Sequence, residues 1–105
     1  GEINLANIVE MLGVINPEII DNIFKMIFNN EKDKIKDIVK EISTYDIDSI
    51  LDEIMSYLKN ALYTNKFALT SIERFFKIVA DMKELIKINV DNEFALNLMF
   101  FKMIE

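Results

Sequence analysis

The chain has 105 residues, 18 Asp and Glu against 12 Lys and Arg, a formal net charge of −6, and no cysteine, histidine or tryptophan. That length makes one domain, able to bury roughly two thirds of its unfolded surface. The missing residues exclude a disulfide framework and a thiolate metal site, and remove the commonest general base and metal ligand at neutral pH. The acidic balance, with Arg74 the single arginine, argues against direct nucleic-acid binding, which works mainly by neutralising phosphates.

Ile3 to Leu12 carries Leu5, Ile8, Val9 and Leu12 at helical spacing, which predicts a short amphipathic helix. The stretch EMLGVINPEIID comes at the end of its stripe. Gly13 suits the left-handed residue after a helix. Asn16 offers a side-chain oxygen as N-cap, and Pro17 fits the first helical position, where its missing N–H costs nothing. One helix stops and another starts within a few residues.

Pro17 to Phe28 is predicted as the second helix, with Ile20, Ile23, Phe24, Ile27 and Phe28 as its core stripe. Asn29 and Asn30 mark a turn, where Asn tolerates a left-handed helix end and Asn30 can cap the next helix. Glu31 to Ser43 is that third helix, facing inward through Ile35, Ile38, Val39 and Ile42. Its outer strip of Lys32, Lys36 and Lys40 beside Asp33, Asp37 and Glu41 reads as a solvated face, in which i,i+3 pairs add about 0.2–0.5 kcal/mol each. Asp46 is placed to cap a long fourth helix, Ile47 to Tyr63, with Ile47, Ile50, Leu51, Ile54, Met55, Leu58 and Leu62 inward.

Thr64 to Leu69 is predicted as a loop. Thr70-Ser71-Ile72-Glu73 has the spacing of a capping box, with Thr70 as N-cap. The fifth helix is expected to run to Lys87, with Ile72, Phe75, Phe76, Val79, Met82 and Ile86 inward. Asp91 or Asn92 caps the last helix, which runs to Ile104. Phe94, Ala95, Leu96, Leu98, Met99, Phe100, Phe101, Met103 and Ile104 cover almost its whole circumference. A helix apolar all round is covered on all sides. The whole pattern predicts an all-α fold, a single helical bundle domain of about five to six helices.

No catalytic constellation is apparent. Asp46, Asp48 and Asp52 form an acidic helix start, but no further oxygen ligands for a hard cation lie nearby in sequence. Gly1 and Gly13 are the only glycines, so no phosphate-binding loop is present. No catalytic, cofactor or metal site is expected. The polar faces are net acidic, unlike a membrane-surface helix. Apolar runs such as Leu98 to Phe101 are far shorter than the about 20 residues that span a bilayer. A chain that opens on Gly1 rather than Met is the expected start of a piece of a longer protein.

The order of these segments resembles a known family. IVEMLGVINPEIID resembles its short helix, Leu-Gly pair, Pro-containing cap and new helix. IDSILDEIMSYLKNALYTNKF resembles the family's next, long helix, LTSIERFFKIVADMKEL the one after it, and DNEFALNLMFFKMIE the terminal one. The family is the third domain, the helical collar, of the gamma/tau subunit of the bacterial DNA polymerase III clamp loader. The match covers nearly all of the chain from Ile8 onward, and departs at Asn97, where the family often carries an acid.

The resemblance implies a role in DNA replication. Residues 1–12 would be the tail of a preceding lid region, 13–16 a hinge carried by Gly13 and Asn16 with Pro17 beside it, and 17–105 the collar, or oligomerisation, domain. Collars of several subunits associate in a ring that holds ATPase modules while a sliding clamp is loaded. The parent chain would be a cytoplasmic, ATP-dependent subunit of a DNA-directed DNA polymerase (nucleotidyltransferase) complex, with its ATP site and DNA-facing surface upstream. The partners implied are further copies of this chain and other clamp-loader subunits, with no nucleic acid or membrane contact by this domain.

The excess apolar surface of the last two helices independently asks for an interface, because an exposed Phe or Leu forgoes roughly 1.5–3 kcal/mol. At least two of Phe75, Phe76, Phe94, Phe100 and Phe101 are expected there, the alternative being that all five pack within one chain. A different reading is a free-standing helical adaptor that takes a partner helix in a Phe/Met-lined groove.

Overall fold

The structure, a computed structural model, describes residues 15–104. The predicted helix Ile3–Leu12 and the expected hinge residue Gly13 lie outside the described residues. Among the described residues five α-helices follow in order: α1 Pro17–Phe28, α2 Lys32–Ile42, α3 Ile47–Tyr63, α4 Leu69–Leu85 and α5 Asn92–Ile104, with a 3₁₀ turn Ile86–Ile88 between the last two. No strand occurs among the described residues, and the fold is all-α, as the hydrophobic spacing predicts. No described helix is long and apolar enough to cross a membrane.

The starts of three helices are set by local chemistry. The Glu18 N–H donates to Asn16 Oδ1 at 2.9 Å, with Pro17 in the first turn. Asp46 Oδ2 accepts from the Ser49 N–H at 3.1 Å and from its hydroxyl at 3.0 Å. Asp91 Oδ2 accepts from the Phe94 N–H at 2.9 Å. Each satisfies a donor that the first helical turn leaves open.

The helix ends are set by asparagine. Asn30, Asn65 and Asn89 adopt φ values of 58°, 56° and 65°, a region that costs other L-residues about 1–2 kcal/mol. After Asn30 the Glu31 N–H donates to the Met26 carbonyl at 2.9 Å, and after Asn65 the Lys66 N–H donates to that of Ala61 at 2.9 Å. These are Schellman closures, with Asn in glycine's usual place. Asn30 therefore closes α1 in the left-handed conformation, as expected, and does not cap α2, which corrects the other part of the expectation. Glu31 precedes α2 without a side-chain cap, and its carboxylate accepts from Lys34 Nζ at 3.1 Å instead.

The capping box is also corrected. α4 begins at Leu69, with Ala68 extended before it and no side-chain cap, so Thr70 lies inside the first turn. Glu73 pairs with Lys77 at 3.4 Å. The physical reason is Phe67, whose ring packs among aromatic rings of α1, α3 and α4. Holding Phe67 inward brings the chain onto the bundle, where it turns helical one residue before the box.

The helices pack in a closed circuit: α1 on α3, α3 on α4, α4 on α5, α5 on α2 and α2 back on α1, with α1 also touching α5. The buried residues are all apolar among the described residues, and the one buried side-chain polar atom found without a partner there is Asn97 Oδ1 on α5. Phe24, Phe75 and Phe100 are its largest members, and Ile15, just ahead of α1, is fully buried. α5 contributes Ala95, Leu96, Met99, Phe100 and Met103, and three neighbouring helices account for most of its apolar circumference.

Some expected core positions fall elsewhere. Phe28 is 51% exposed and Leu62 37%, because both stand in the last turns of their helices, and Phe76 is only half-buried. Ala61 and Ile78 hold buried places instead. α4 stops at Leu85 rather than Lys87, tightening into the 3₁₀ turn that Asn89 closes.

Asp46→Ala is expected to cost about 1 kcal/mol through the lost cap, while Thr70→Ala changes stability by less than about 0.5 kcal/mol. Phe100→Ala should cost about 3–5 kcal/mol. Urea unfolding followed by circular dichroism measures all three.

Candidate association surface

An aromatic cluster ties α1, α3, the α3–α4 loop and α4 together. The Phe24 ring stacks on Tyr57 with centroids 5.0 Å apart and planes 5° from parallel. Phe67 lies 5.6 Å and Phe75 5.5 Å from Phe24, and these two rings meet edge-on at 6.4 Å. Phe28 packs on Phe67 at 4.9 Å and edge-on to Phe75 at 5.9 Å. Such pairs add about 0.5–1.5 kcal/mol beyond area burial.

A polar group closes the side of this cluster. The Tyr57 hydroxyl donates to Asp21 Oδ1 at 2.5 Å, and Lys66 Nζ donates to the same oxygen at 2.8 Å. Lys25 Nζ sits 3.2 Å from Asp21 Oδ2, and Lys66 Nζ stands 5.1 Å from the centre of the Tyr57 ring. Lys66, and after it Tyr57, hold the Asp21 carboxyl well below the usual carboxylate range. Burial and the Asp21 hydrogen bond push the Tyr57 phenol up, and Asp21 pushes the Lys66 ammonium up. Apart from the i,i+4 spacing of Asp21 and Lys25, nothing local in the sequence signals this group, since Tyr57 and Lys66 are 36 and 45 residues from Asp21.

Six large apolar side chains are exposed among the described residues. Four gather at one end of the bundle. Phe28 rests on Phe67, and Leu62, Tyr63 and Leu69 stand within five residues of Phe67 along the chain. Within five residues of these four along the chain, Lys25, Lys32, Lys59, Lys66 and Arg74 outnumber Glu31, Asp33 and Glu73. The other two, Ile88 at 70% and Phe94 at 58% exposed, flank the turn from α4 into α5. There Asp48, Glu84, Asp91 and Glu93 outnumber Lys83 and Lys87. The two groups lie at opposite ends of α4, whose 17 residues span about 25 Å.

The five phenylalanines expected at an interface divide. Phe75 and Phe100 lie in the core at 1% and 0% exposure, where neighbouring helices of the same chain already cover them. Phe76 and Phe101 are half-buried, with Lys32 Nζ 5.5 Å from the Phe101 ring, and Phe94 is open to solvent. Phe28, Leu62, Tyr63 and Leu69 are not singled out by the sequence. Their signal is weak, for helical spacing assigns Phe28 and Leu62 to core stripes. Of the hinge residues, Asn16 is the α1 cap and Pro17 opens the helix.

Two of the three acids at the start of α3 are engaged: Asp46 is its cap, and Asp52 pairs with Lys83 of α4 at 2.5 Å, which raises the Lys83 ammonium's pKa. No group of side chains suited to hold a metal ion occurs among the described residues. A groove of about 570 Å³ lies along α4 and α5, floored by Ile78 and walled by Glu73, Arg74, Lys77, Asp81 and Lys102. Its walls are charged, and Met82, Met99 and Met103 are in the core. No family model, no curated protein and no solved structure matches this chain.

The Asp21 group makes stability pH-dependent at both limits. Its depressed carboxylate contributes stability that is present at neutral pH and lost as pH falls below the ordinary value of 3.8. The raised Tyr57 and Lys66 contribute stability that is full below their ordinary values of 10.0 and 10.5 and lost above them. Asp21→Asn should flatten both limbs in unfolding measured from pH 3 to pH 11, and Tyr57→Phe should cost about 1 kcal/mol at pH 7.

Proposed function

We propose that this chain is a helical association domain of the clamp-loader collar class, joining copies of its parent subunit and related subunits into a ring during DNA replication. One observation carries the association: Phe94 and Ile88 stand more than half exposed at the junction of the last two helices, on a bundle whose core is already filled. Large apolar side chains grouped in this way favour burial against another protein surface. The resemblance of the segment order to the collar supplies the setting. In this reading the chain contributes no catalytic group, and nucleotide hydrolysis belongs to ATPase domains elsewhere in the parent.

Sedimentation of the chain over a concentration series tests the association. A discrete oligomer is the expected result, and a strict monomer at several hundred micromolar overturns it. The parent reading frame tests the setting: a phosphate-binding loop encoded ahead of Gly1 is expected, and a frame without one overturns the clamp-loader assignment.

A further inference from the structure

We infer that copies of this chain associate head to tail, the Phe94/Ile88 end of one seating on the Phe28/Tyr63/Leu69 end of the next. This rests on the self-association proposed above and adds which two surfaces meet. Two features of the molecule point to it. Among the described residues the large exposed apolar side chains form two separate groups at opposite ends of α4, not one self-complementary patch on a side. The rims also differ in sign, with lysines in excess around Phe28, Tyr63 and Leu69 and carboxylates in excess around Ile88 and Phe94.

Pairing either end with itself brings like charges together, on a chain that already carries −6. Pairing one end with the other sets opposite charges around an apolar centre, the arrangement that fixes register and suppresses wrong pairings. A contact between two different surfaces is heterologous, so each copy keeps one free end of each kind until the assembly closes or extends.

The test uses the chain in three forms: wild type, Tyr63→Ser with Leu69→Ser, and Phe94→Ser with Ile88→Ser. The four side chains are 83%, 69%, 58% and 70% exposed, so both variants should keep the wild-type circular dichroism. Head-to-tail association predicts that each variant alone loses self-association by about tenfold or more. It also predicts that an equal mixture of the two forms a one-to-one dimer through the single intact contact. An assembly that survives in one variant and is lost in the other, with no mixed dimer, overturns this inference and leaves self-association standing. A monomeric wild type overturns both. As a second measurement, wild-type association should weaken as salt screens the rims, and association that is indifferent to salt overturns the charge-paired contact.

Discussion

The contact between α1 and α5 makes five helices into one core. Without it the circuit of neighbours would be a loop of pairwise contacts around an unfilled middle. With it, Ile20, Ile23, Phe24 and Ile27 from one helix and Leu96, Met99, Phe100 and Met103 from the other belong to one continuous apolar cluster. α2 sits against both partners of this pair, and α3 and α4 complete the cover. The all-round apolar character of α5 is the sequence's record of that position, since a helix with neighbours on three sides has little room for a polar face.

An apolar core of Ile, Leu, Val, Met and Phe attracts without direction, so it does little to choose among ways of sliding one helix along another. Here the directional interactions lie at the periphery. Asparagine stops end α1 and α3 at fixed residues, and side-chain caps fix the starts of α1, α3 and α5. Asp21 then joins the middle of α1 to Tyr57 on α3 and to Lys66 in the loop beyond, which leaves little freedom for α1 to shift along α3. The aromatic cluster sits directly beneath that tie, so the two constrain the same pair of helices from inside and outside.

The features legible in the sequence are those that a few neighbouring residues decide. Asn16 with Pro17, Asp46 and Asp91 act where their chemistry says they should, and the helical stripes appear with nearly the expected limits. Two of the failures share a cause, a distant residue overruling local preference. Thr70 loses its cap because Phe67 is held by rings from three helices. Phe75 and Phe76 are adjacent and equally apolar, and only the placement of α1 and the loop decides which is buried. The candidate surface is legible in kind, as surplus apolar area on the last helices, with Phe94 among its members. Its other end is hidden because Phe28 and Leu62 fit a buried stripe until the helices end around them.

α5 is also the last of the described helices in chain order, and this bears on how the molecule is made. Synthesis proceeds from the N-terminus at about 5–20 residues per second. While residues 92–104 are still to be added, α1, α2 and α4 can form, but the apolar faces they turn toward α5 have no cover. For that interval the nascent chain presents the hydrophobic surface that chaperones hold and that drives premature aggregation. A ribosome that pauses before Asn92 prolongs that exposure, whereas prompt emergence of the segment through Ile104 ends it by supplying the missing wall of the core.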